Sequence, residues 1–353
     1  MIFNFPYIYR MKKWLLGKSL TELKEITESL FLPSFTAKQL ADWLYKKKTS
    51  DIGLMTNLSR QTRERLSEEY EIGGFASTES MISSDGTKKY LFPSICGASI
   101  EAVMIPEDDR ATLCVSSQAG CKMGCKFCMT GRIGFKGQLT AGEIISQFIN
   151  VDESDKLTNV VFMGMGEPLD NLREVLKSIE ILTAEWGFAW SPRRITLSSI
   201  GIYPELKEFL ETSKCHLAIS LHNPFDAERN ELIPMQKACP VSETVELIRN
   251  YDFTGQRRVS FEYIMFNGWN DDKRHADGLI RMLRNLECRV NLIRFHQIPD
   301  FSLSPSQDAI IEFFQARLNN AGILTTIRAS RGEDILAACG MLSGKSKSSQ
   351  NYK

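Results

Sequence analysis

The sequence predicts an α/β protein built around a parallel sheet. From about residue 111 onward, short strand-like segments alternate with segments of helical periodicity. The predicted strands cover residues 111–117, 159–164, 194–198, 215–220, 258–265, 289–294 and 323–328. This alternation favours βαβ units in one parallel sheet, either open or curled into a barrel. We therefore expect the functional site at the carboxyl ends of the strands, where the βα loops meet.

Helices in this part are expected over residues 139–149, 172–182 and 308–318. The first of them opens with Thr140 and Glu143, which form a capping-box pattern. We find no internal repeat in the sequence.

The first 70 residues have a different pattern, typical of a small helical unit. Apolar periodicity predicts helices over 19–30 and 60–70, and the capping-box pattern Thr36 to Gln39 predicts a further helix between them. Asp85-Gly86 then indicates a hairpin with a two-residue turn, and a strand follows over 100–105. The expected domains are therefore an accessory domain over 1–95, a core over 96–343 and a flexible tail over 344–353.

Composition excludes several classes of protein. The chain has 353 residues, and its 43 Lys and Arg balance 43 Asp and Glu. That balance excludes a uniformly positive surface, although local clusters such as Lys46–Lys48 can still contact RNA phosphates. No apolar run approaches the ~20 residues of a membrane helix, and no secretory signal opens the chain. We therefore expect a cytoplasmic protein without a membrane partner, whose nine cysteines are thiols or metal ligands.

The most informative motif is Cys121-Lys-Met-Gly-Cys125-Lys-Phe-Cys128, placed in the loop after the first predicted strand of the core. Three thiolates within eight residues suit iron or zinc. Structural zinc usually takes four ligands from two separated pairs, and no second pair is present in the sequence. A [4Fe–4S] cluster on three thiolates leaves one iron open for a ligand. Zinc with a remote fourth ligand and three unrelated buried thiols remain the alternatives.

The motif resembles the cluster-binding loop of the radical S-adenosylmethionine (SAM) superfamily. The longer string from Cys114 to Phe135 resembles one branch of it, the methyltransferases that modify C2 of an adenine in 23S rRNA and in certain tRNAs. A sister group modifies C8 of the same rRNA adenine. The resemblance extends from the helix at Phe35–Trp43 to Cys339. It implies a partial (β/α)6-type barrel, a [4Fe–4S] cluster on Cys121, Cys125 and Cys128, and two SAM molecules per turnover.

The same resemblance implies a SAM site formed by loops at the strand ends. The Gly164-Met-Gly-Glu167-Pro168 turn would hold the amino group of SAM, and Glu167 can accept a hydrogen bond from an amine. At position 296 the methyltransferases that this sequence resembles commonly have Asn, whereas this sequence has His. A histidine there adds a titratable group near the cationic sulfonium of SAM. The implied SAM-binding residues are Gly166, Glu167, Ser198, Ser220, Leu221, His222 and His296.

Three further residues acquire catalytic roles through the resemblance. Cys339, expected at a helix end with Gly340 as its cap, matches the cysteine that carries a methyl group; Met341 stands where Gln is common. Cys114 matches the thiol that releases methylated RNA from Cys339 by forming a disulfide, and Glu101 matches the proton acceptor. Cys96, Cys215, Cys239 and Cys288 are interpreted as packing residues.

The implied partners are 23S rRNA, tRNA and an electron donor such as flavodoxin or ferredoxin, with the enzyme acting as a monomer. Candidate RNA contacts are Trp43, Tyr45 and Lys46–Lys48. The alternatives are a C8 methyltransferase of the sister group, a non-catalytic zinc-containing RNA-binding protein and a radical SAM enzyme that activates a protein partner.

Overall fold

The computed structural model describes residues 12–253 and 257–344. The first eleven residues and the predicted tail from residue 345, with its lysines, lie outside the described residues. Among the helices of these two ranges, none has the length and apolar character needed to cross a membrane.

The strands are β1 Lys13–Trp14, β2 Tyr70–Glu71, β3 Glu79–Ile82, β4 Lys88–Pro93, β5 Ser99–Pro106, β6 Ala111–Cys114, β7 Gln118–Ala119, β8 Gly137–Gln138, β9 Asn159–Phe162, β10 Ile195–Ser199, β11 His216–Ser220, β12 Val259–Met265, β13 Arg289–Arg294 and β14 Leu324–Ile327. The α-helices are α1 Leu20–Ser29, α2 Thr36–Ala41, α3 Arg60–Glu69, α4 Met129–Arg132, α5 Ala141–Ile149, α6 Leu172–Thr183, α7 Glu205–Thr212, α8 Asp226–Leu232, α9 Val241–Arg249, α10 Lys273–Leu283 and α11 Asp308–Asn320.

One large sheet organises the molecule. Its strand order is β14-β13-β12-β11-β10-β9-β6-β5-β4-β3, and every pair from β6 to β14 is parallel. Helices connect the consecutive parallel strands, as the alternating pattern predicts. Because β14 and β3 are both edges, the sheet does not close, which confirms a partial rather than a complete barrel.

The predicted hairpin is present, and it is continuous with this sheet. Strands β3, β4 and β5 pair antiparallel, and β5 pairs antiparallel with β6. The connection from β3 to β4 is five residues long, not two, and it is closed by a bond of 2.8 Å from Ser83 N to Thr87 O. A hairpin assigned from sequence to the accessory part thus extends the sheet of the core.

The N-terminal helices begin where the local sequence provides a cap, with one exception. Ser19 and Glu22 form a complete capping box at α1. The capping box predicted at Thr36 is wrong, since the cap position of α2 is Phe35 and no side chain caps it. The turn at Pro33, whose carbonyl accepts from Thr36 N at 2.9 Å, already starts the helix. After α2 the chain continues as a π-helical turn over Asp42–Lys46.

This π-helical turn packs the N-terminal unit against the core. Tyr45 is fully buried, its hydroxyl donates to Lys18 O at 2.6 Å, and its ring lies 5.7 Å from that of Trp186. Lys48 bonds Asp155 at 2.6 Å. The prediction that Tyr45 contacts RNA is therefore wrong, because burial leaves no face for stacking. Trp43 is half-buried beneath the Lys47 ammonium, and Lys46 and Lys47 are exposed.

Candidate active site

A cavity of about 520 Å³ opens at the carboxyl ends of the parallel strands. Residues from the ends of β9 to β14, or from the loops that follow them, contribute to its wall. The predicted site residues that line it are Cys121, Cys125, Cys128, Gly166, Glu167, Ser198, Ser220, His222, His296 and Cys339. Three predicted residues, Leu221, Cys114 and Glu101, do not line this cavity.

The three cysteines are held by a loop that is closed at its base. Strands β7 and β8 pair antiparallel, so the loop between them leaves and returns at one point. Cys121 and Cys125 are each 9% exposed, and Cys128 is half-buried. Burial, followed by the charges of the neighbouring thiols, raises the pKa of Cys125 well above its usual value. Thiolates packed in this way need a bound cation or cationic cluster to offset their charge.

The three thiols border a common cavity. A [4Fe–4S] cluster takes each thiolate on a separate iron and leaves one iron open, so three cysteines of one loop at a cavity wall fit such a cluster.

Glu167 is a buried carboxyl group at the cavity wall. It is 4% exposed, and its oxygens accept from the backbone of Leu169 and Ile200, each at 3.1 Å. Burial raises the pKa of Glu167 to about 7, although hydrogen bonds from Ser199, Ile200 and Leu169 oppose the shift. The group therefore changes charge near neutral pH and can hold an ammonium when ionised.

The two glycines before Glu167, Gly164 and Gly166, allow two segments of the backbone to pack closely against each other. An added Cβ at Gly164 would lie 2.7 Å from the backbone of Val115. At Gly166, where φ is +100°, it would lie 2.6 Å from Cβ of Gln118. At both positions the nearest atoms belong to the chain leading into the cysteine loop. The glycines thus join the turn after β9 to that loop.

His222 is a neutral, fixed imidazole. Its φ is 58°, its Nδ1 accepts from Ile264 N at 3.1 Å, and its ring meets Phe127 edge-on at 5.1 Å. Burial, with a smaller contribution from Arg229, lowers the pKa of His222 to about 3. Since Nδ1 accepts a hydrogen bond, the proton is on Nε2. Phe127 stands between Cys125 and Cys128, so this histidine packs directly on the cysteine loop.

His296 also borders the cavity. Its Nδ1 lies 3.3 Å from a carboxylate oxygen of Glu333, in the segment that leads to Cys339. It therefore links the loop after β13 with that segment. The histidine that replaces the family's common Asn thus lies at the cavity, as expected from the sequence.

Leu221 and Arg229 lie just behind the cavity wall, and Arg229 was not singled out from the sequence. Leu221 is fully buried, and its carbonyl accepts from Nε of Arg229 at 2.9 Å. Arg229 is 1% exposed, and it also donates to Gln236 and to the carbonyls of Ser220 and Ile200. Burial lowers the pKa of Arg229 to about 10, which still leaves it cationic at neutral pH. In sequence, Arg229 lies in a polar heptapeptide that looks like a solvated helix face.

Cys339 faces the cavity from a turn. The predicted helix end is wrong, because only the 3-10 turn Glu333–Ile335 precedes it. Long-range hydrogen bonds fix the segment instead: Met129 N donates to Gly340 O, and Thr130 Oγ1 donates to Leu342 O, both at 2.7 Å. Cys339 is exposed toward the cavity yet surrounded by protein, and this burial raises its pKa.

Glu101 and Cys114 lie next to the Cys339 segment, on neighbouring strands. Oε2 of Glu101 accepts from the backbone of Ser343 and Gly344, and Oε1 lies 3.1 Å from Lys89 Nζ. Cys114 ends β6 and does not share a strand with Cys121, so the strand-alternation argument for its orientation does not apply. Burial raises the pKa of Cys114, and Cys339 is close enough to raise it further.

The remaining cysteines are not all packing residues. Cys215 and Cys239 are buried, and Cys288 is half-buried. Cys96 is exposed, so its interpretation as a packing residue is wrong. It lies in the tight turn between β4 and β5, where a short connection leaves its side chain at the surface.

An open sheet of βα units, with three thiols on its first βα loop facing a cavity at the strand ends, defines a radical SAM enzyme. Residues 115–277 match the family model of the radical SAM superfamily. Residues 14–72 match that of the ribosomal RNA large subunit methyltransferase N-terminal domain.

Two curated relatives and one solved structure give the particular family. "Probable dual-specificity RNA methyltransferase RlmN" of Porphyromonas gingivalis is 56% identical, over 95% of this chain and 98% of that protein. "Dual-specificity RNA methyltransferase RlmN" of Marinobacter nauticus is 40% identical, over 96% and 95%. A radical SAM methyltransferase of Sphaerobacter thermophilus superposes with a TM-score of 0.88 at 36% identity, over 94% of this chain and 99% of that chain. The chain belongs to the RlmN family of radical SAM RNA methyltransferases.

Proposed function

We propose that this chain methylates C2 of one adenine in 23S rRNA and of an adenine in tRNAs, through an S-methylated Cys339. One observation carries the proposal: Cys339 borders the same cavity as Cys121, Cys125 and Cys128. A methyl group on its sulfur would therefore lie beside the place where radical chemistry starts. An enzyme that activates a protein partner has no use for a cysteine there.

In this proposal Cys121, Cys125 and Cys128 hold a [4Fe–4S] cluster, and Glu167 holds the ammonium of SAM. Ser198, Ser220, His222 and His296 complete the SAM site from the ends of neighbouring strands. Gly166 shapes the turn, and Leu221 contributes only through its carbonyl's bond to Arg229. The bound cluster and SAM supply the electron, the methyl group and the 5′-deoxyadenosyl radical of the reaction.

The chain's own residues carry out the remaining steps. The Cys339 sulfur accepts a methyl group as a nucleophile, for which its thiol must first lose a proton. Glu101 takes the proton from adenine C2, and its bonds to Ser343 and Gly344 must open before it can do so. The adduct formed by radical addition must also lose one electron, for which the bound cluster would be the acceptor. Cys114 then attacks Cys339 sulfur as a thiolate: the S–S bond forms as the bond from that sulfur to the new carbon on adenine C2 breaks, and this carbon takes up a proton to become the methyl group. A cellular reductant must afterwards open the disulfide.

The proposed partners are 23S rRNA, tRNA and an electron donor of the flavodoxin or ferredoxin type. Because ribosomal and transfer RNA are cytoplasmic, we place the reaction in the cytoplasm. Lys46, Lys47 and the half-buried Trp43 support RNA contact by the N-terminal unit, since all three have exposed polar or aromatic surface.

The test is anaerobic incubation of reconstituted protein with SAM, a reductant and an unmodified 23S rRNA fragment or tRNA. Mass spectrometry of the digested RNA should give 2-methyladenosine for the wild type and none for Cys339→Ala. Cys215→Ala is the matched control, since this buried thiol lies outside the cavity and should leave methylation intact. 8-Methyladenosine would instead assign the chain to the sister reaction, and the absence of methyladenosine despite 5′-deoxyadenosine release would contradict the RNA substrate.

A further inference from the structure

Arg229 is a buried cation that makes no direct ion pair in the described part of the chain. It is 1% exposed, among the most buried large side chains of the molecule. Nε donates to Leu221 O at 2.9 Å, and Nη2 donates to Ser220 O at 2.7 Å and Ile200 O at 3.2 Å. Nη1 donates to the amide oxygen of Gln236. All four acceptors are neutral. The guanidinium therefore has hydrogen-bond partners but no counter-charge in direct contact.

A buried charge without a counter-charge is costly to the folded state. Neutral carbonyls and an amide compensate for lost hydration, but they do not neutralise a guanidinium. Glu167, a buried carboxyl group at the cavity wall, directs its oxygens at the backbone of Leu169 and Ile200 instead. Asp226 reaches Arg229 only through Gln236, whose amide nitrogen donates to Asp226. The fold therefore keeps a positive charge behind the cavity, and an anionic group bound in the cavity would offset it further.

The cysteine loop packs against the helix that carries this charge. Lys126 N, directly after Cys125, donates to Leu232 O at 3.0 Å, at the end of the helix that carries Arg229. Cys125, Leu232 and Ile233 belong to one buried cluster. Burial lowers the pKa of Arg229, while the charges of Cys125 and Asp226 oppose that shift.

We propose that Arg229 is a positioning residue that raises the reduction potential of the iron–sulfur cluster held by Cys121, Cys125 and Cys128. The inference rests on the proposed function, in which three thiolates make the loaded site anionic. Reduction by one electron adds one more negative charge beside the guanidinium, and the reduced state is therefore stabilised more than the oxidised state. The same side chain ties the ends of β10 and β11 together through Ile200 and Ser220, next to the proposed SAM site.

Arg257 provides a matched control. It is also a buried arginine, 8% exposed, and it also donates to backbone carbonyls, those of Cys215 at 3.1 Å and Leu210 at 2.8 Å. It precedes β12 and so lies at the amino ends of the parallel strands, opposite the cavity. Removing its charge should destabilise the fold without reaching the cluster.

The experiment compares wild type, Arg229→Gln, Arg229→Lys and Arg257→Gln after anaerobic reconstitution without SAM. Iron and sulfide content and thermal unfolding are measured first, and a redox titration followed by electron paramagnetic resonance then gives the midpoint potential. We expect Arg229→Gln to reduce the equilibrium constant for reduction at least tenfold, a shift of about 59 mV to lower potential. Arg229→Lys should stay within about threefold of wild type because it keeps the charge, and Arg257→Gln should not change the potential.

Two results would overturn the inference. One is a wild-type potential in Arg229→Gln protein with full iron and sulfide content. The other is a tenfold loss in Arg229→Lys, where no charge is removed; this arm decides the matter even if Arg229→Gln does not assemble a cluster. A wild-type chain that takes up no cluster would instead overturn the proposed function, and this inference with it.

Discussion

The backbone N–H of Ser343 donates to Oε2 of Glu101 at 2.7 Å. A carboxylate on β5 thus holds the chain four residues beyond Cys339, with a second bond of 2.9 Å from Gly344. Because the same carboxyl group is the proposed proton acceptor, its release and the movement of the Cys339 segment are coupled. In the proposed reaction, the adenine could meet Glu101 only after this segment had moved.

Replacing Glu101 by Gln should separate the two halves of the reaction. Gln keeps an acceptor oxygen for Ser343 but cannot take a proton from adenine C2. We expect RNA methylation to fall ~10²- to 10⁴-fold while methylation of Cys339 continues, as measured by mass spectrometry of the RNA and of the intact protein. Glu143→Gln is the control for loss of a buried carboxylate outside the proposed reaction: the amide oxygen can keep the bond from Thr140 N, while the bond from Ile95 N to the other oxygen is lost. Normal RNA methylation by Glu101→Gln would disprove the role.

Replacing Cys114 by Ala should trap the RNA on the protein. Without the Cys114 thiol, nothing cleaves the bond between Cys339 and the modified base, so a covalent complex should accumulate on a denaturing gel. Cys288→Ala, which removes a half-buried thiol outside the cavity, should turn over normally. Turnover by Cys114→Ala without a covalent complex would exclude the disulfide step.

The charge of Glu167 should make SAM binding depend on pH. Burial raises the pKa of this carboxyl group to about 7, so it is neutral in acid and gains its charge as the pH rises through that value. Only the ionised form attracts the ammonium of SAM. We expect equilibrium dialysis to show affinity rising about tenfold between pH 6 and pH 8.

Two variants check that assignment. Glu167→Gln should bind SAM weakly and without this pH dependence. Glu262→Gln removes another buried carboxyl group from the cavity wall and should keep it. A pH dependence that survives in Glu167→Gln would mean that another group titrates.

A methyl group at Gly166 should damage the site more than one at Gly268. Both glycines have positive φ, +100° and +67°, but only at Gly166 does an added Cβ meet the chain, 2.6 Å from Cβ of Gln118. Backbone strain alone costs ~1–3 kcal/mol, and Gly166→Ala adds displacement of the strand that leads into the cysteine loop. Denaturant unfolding should show the larger loss for Gly166→Ala, with less iron bound after reconstitution. Equal losses would contradict the steric argument.

Periodicity was sufficient to predict the sheet because each parallel strand is short, apolar and followed by an amphipathic helix. The exact start of a helix and the conformation of an irregular segment are harder to predict. Thr36 matches a capping pattern, yet the turn at Pro33 starts the helix one residue earlier. Likewise Cys339 sits in a turn held by Met129 and Thr130, more than 200 positions away, which no local pattern encodes.

The site residues with specific spacing could be predicted, whereas those defined only by burial could not. The cysteine motif and the turn before Glu167 are local, and both line the cavity. Arg229 lies in a short polar helix, and only the fold buries it behind the ends of β10 and β11. Tyr45 shows the converse, since an aromatic beside three lysines suggests a surface while the π-helical turn places it inside.

The most direct test of the central claim uses SAM with a fully deuterated methyl group. If Cys339 carries the methyl group and loses one hydrogen from it before transfer, the 2-methyladenosine formed should hold two deuterium atoms in its methyl group. The 5′-deoxyadenosine released should then hold the third. A product methyl group with all three deuterium atoms would show intact transfer from SAM, and would contradict a methyl-carrying Cys339 in this chain.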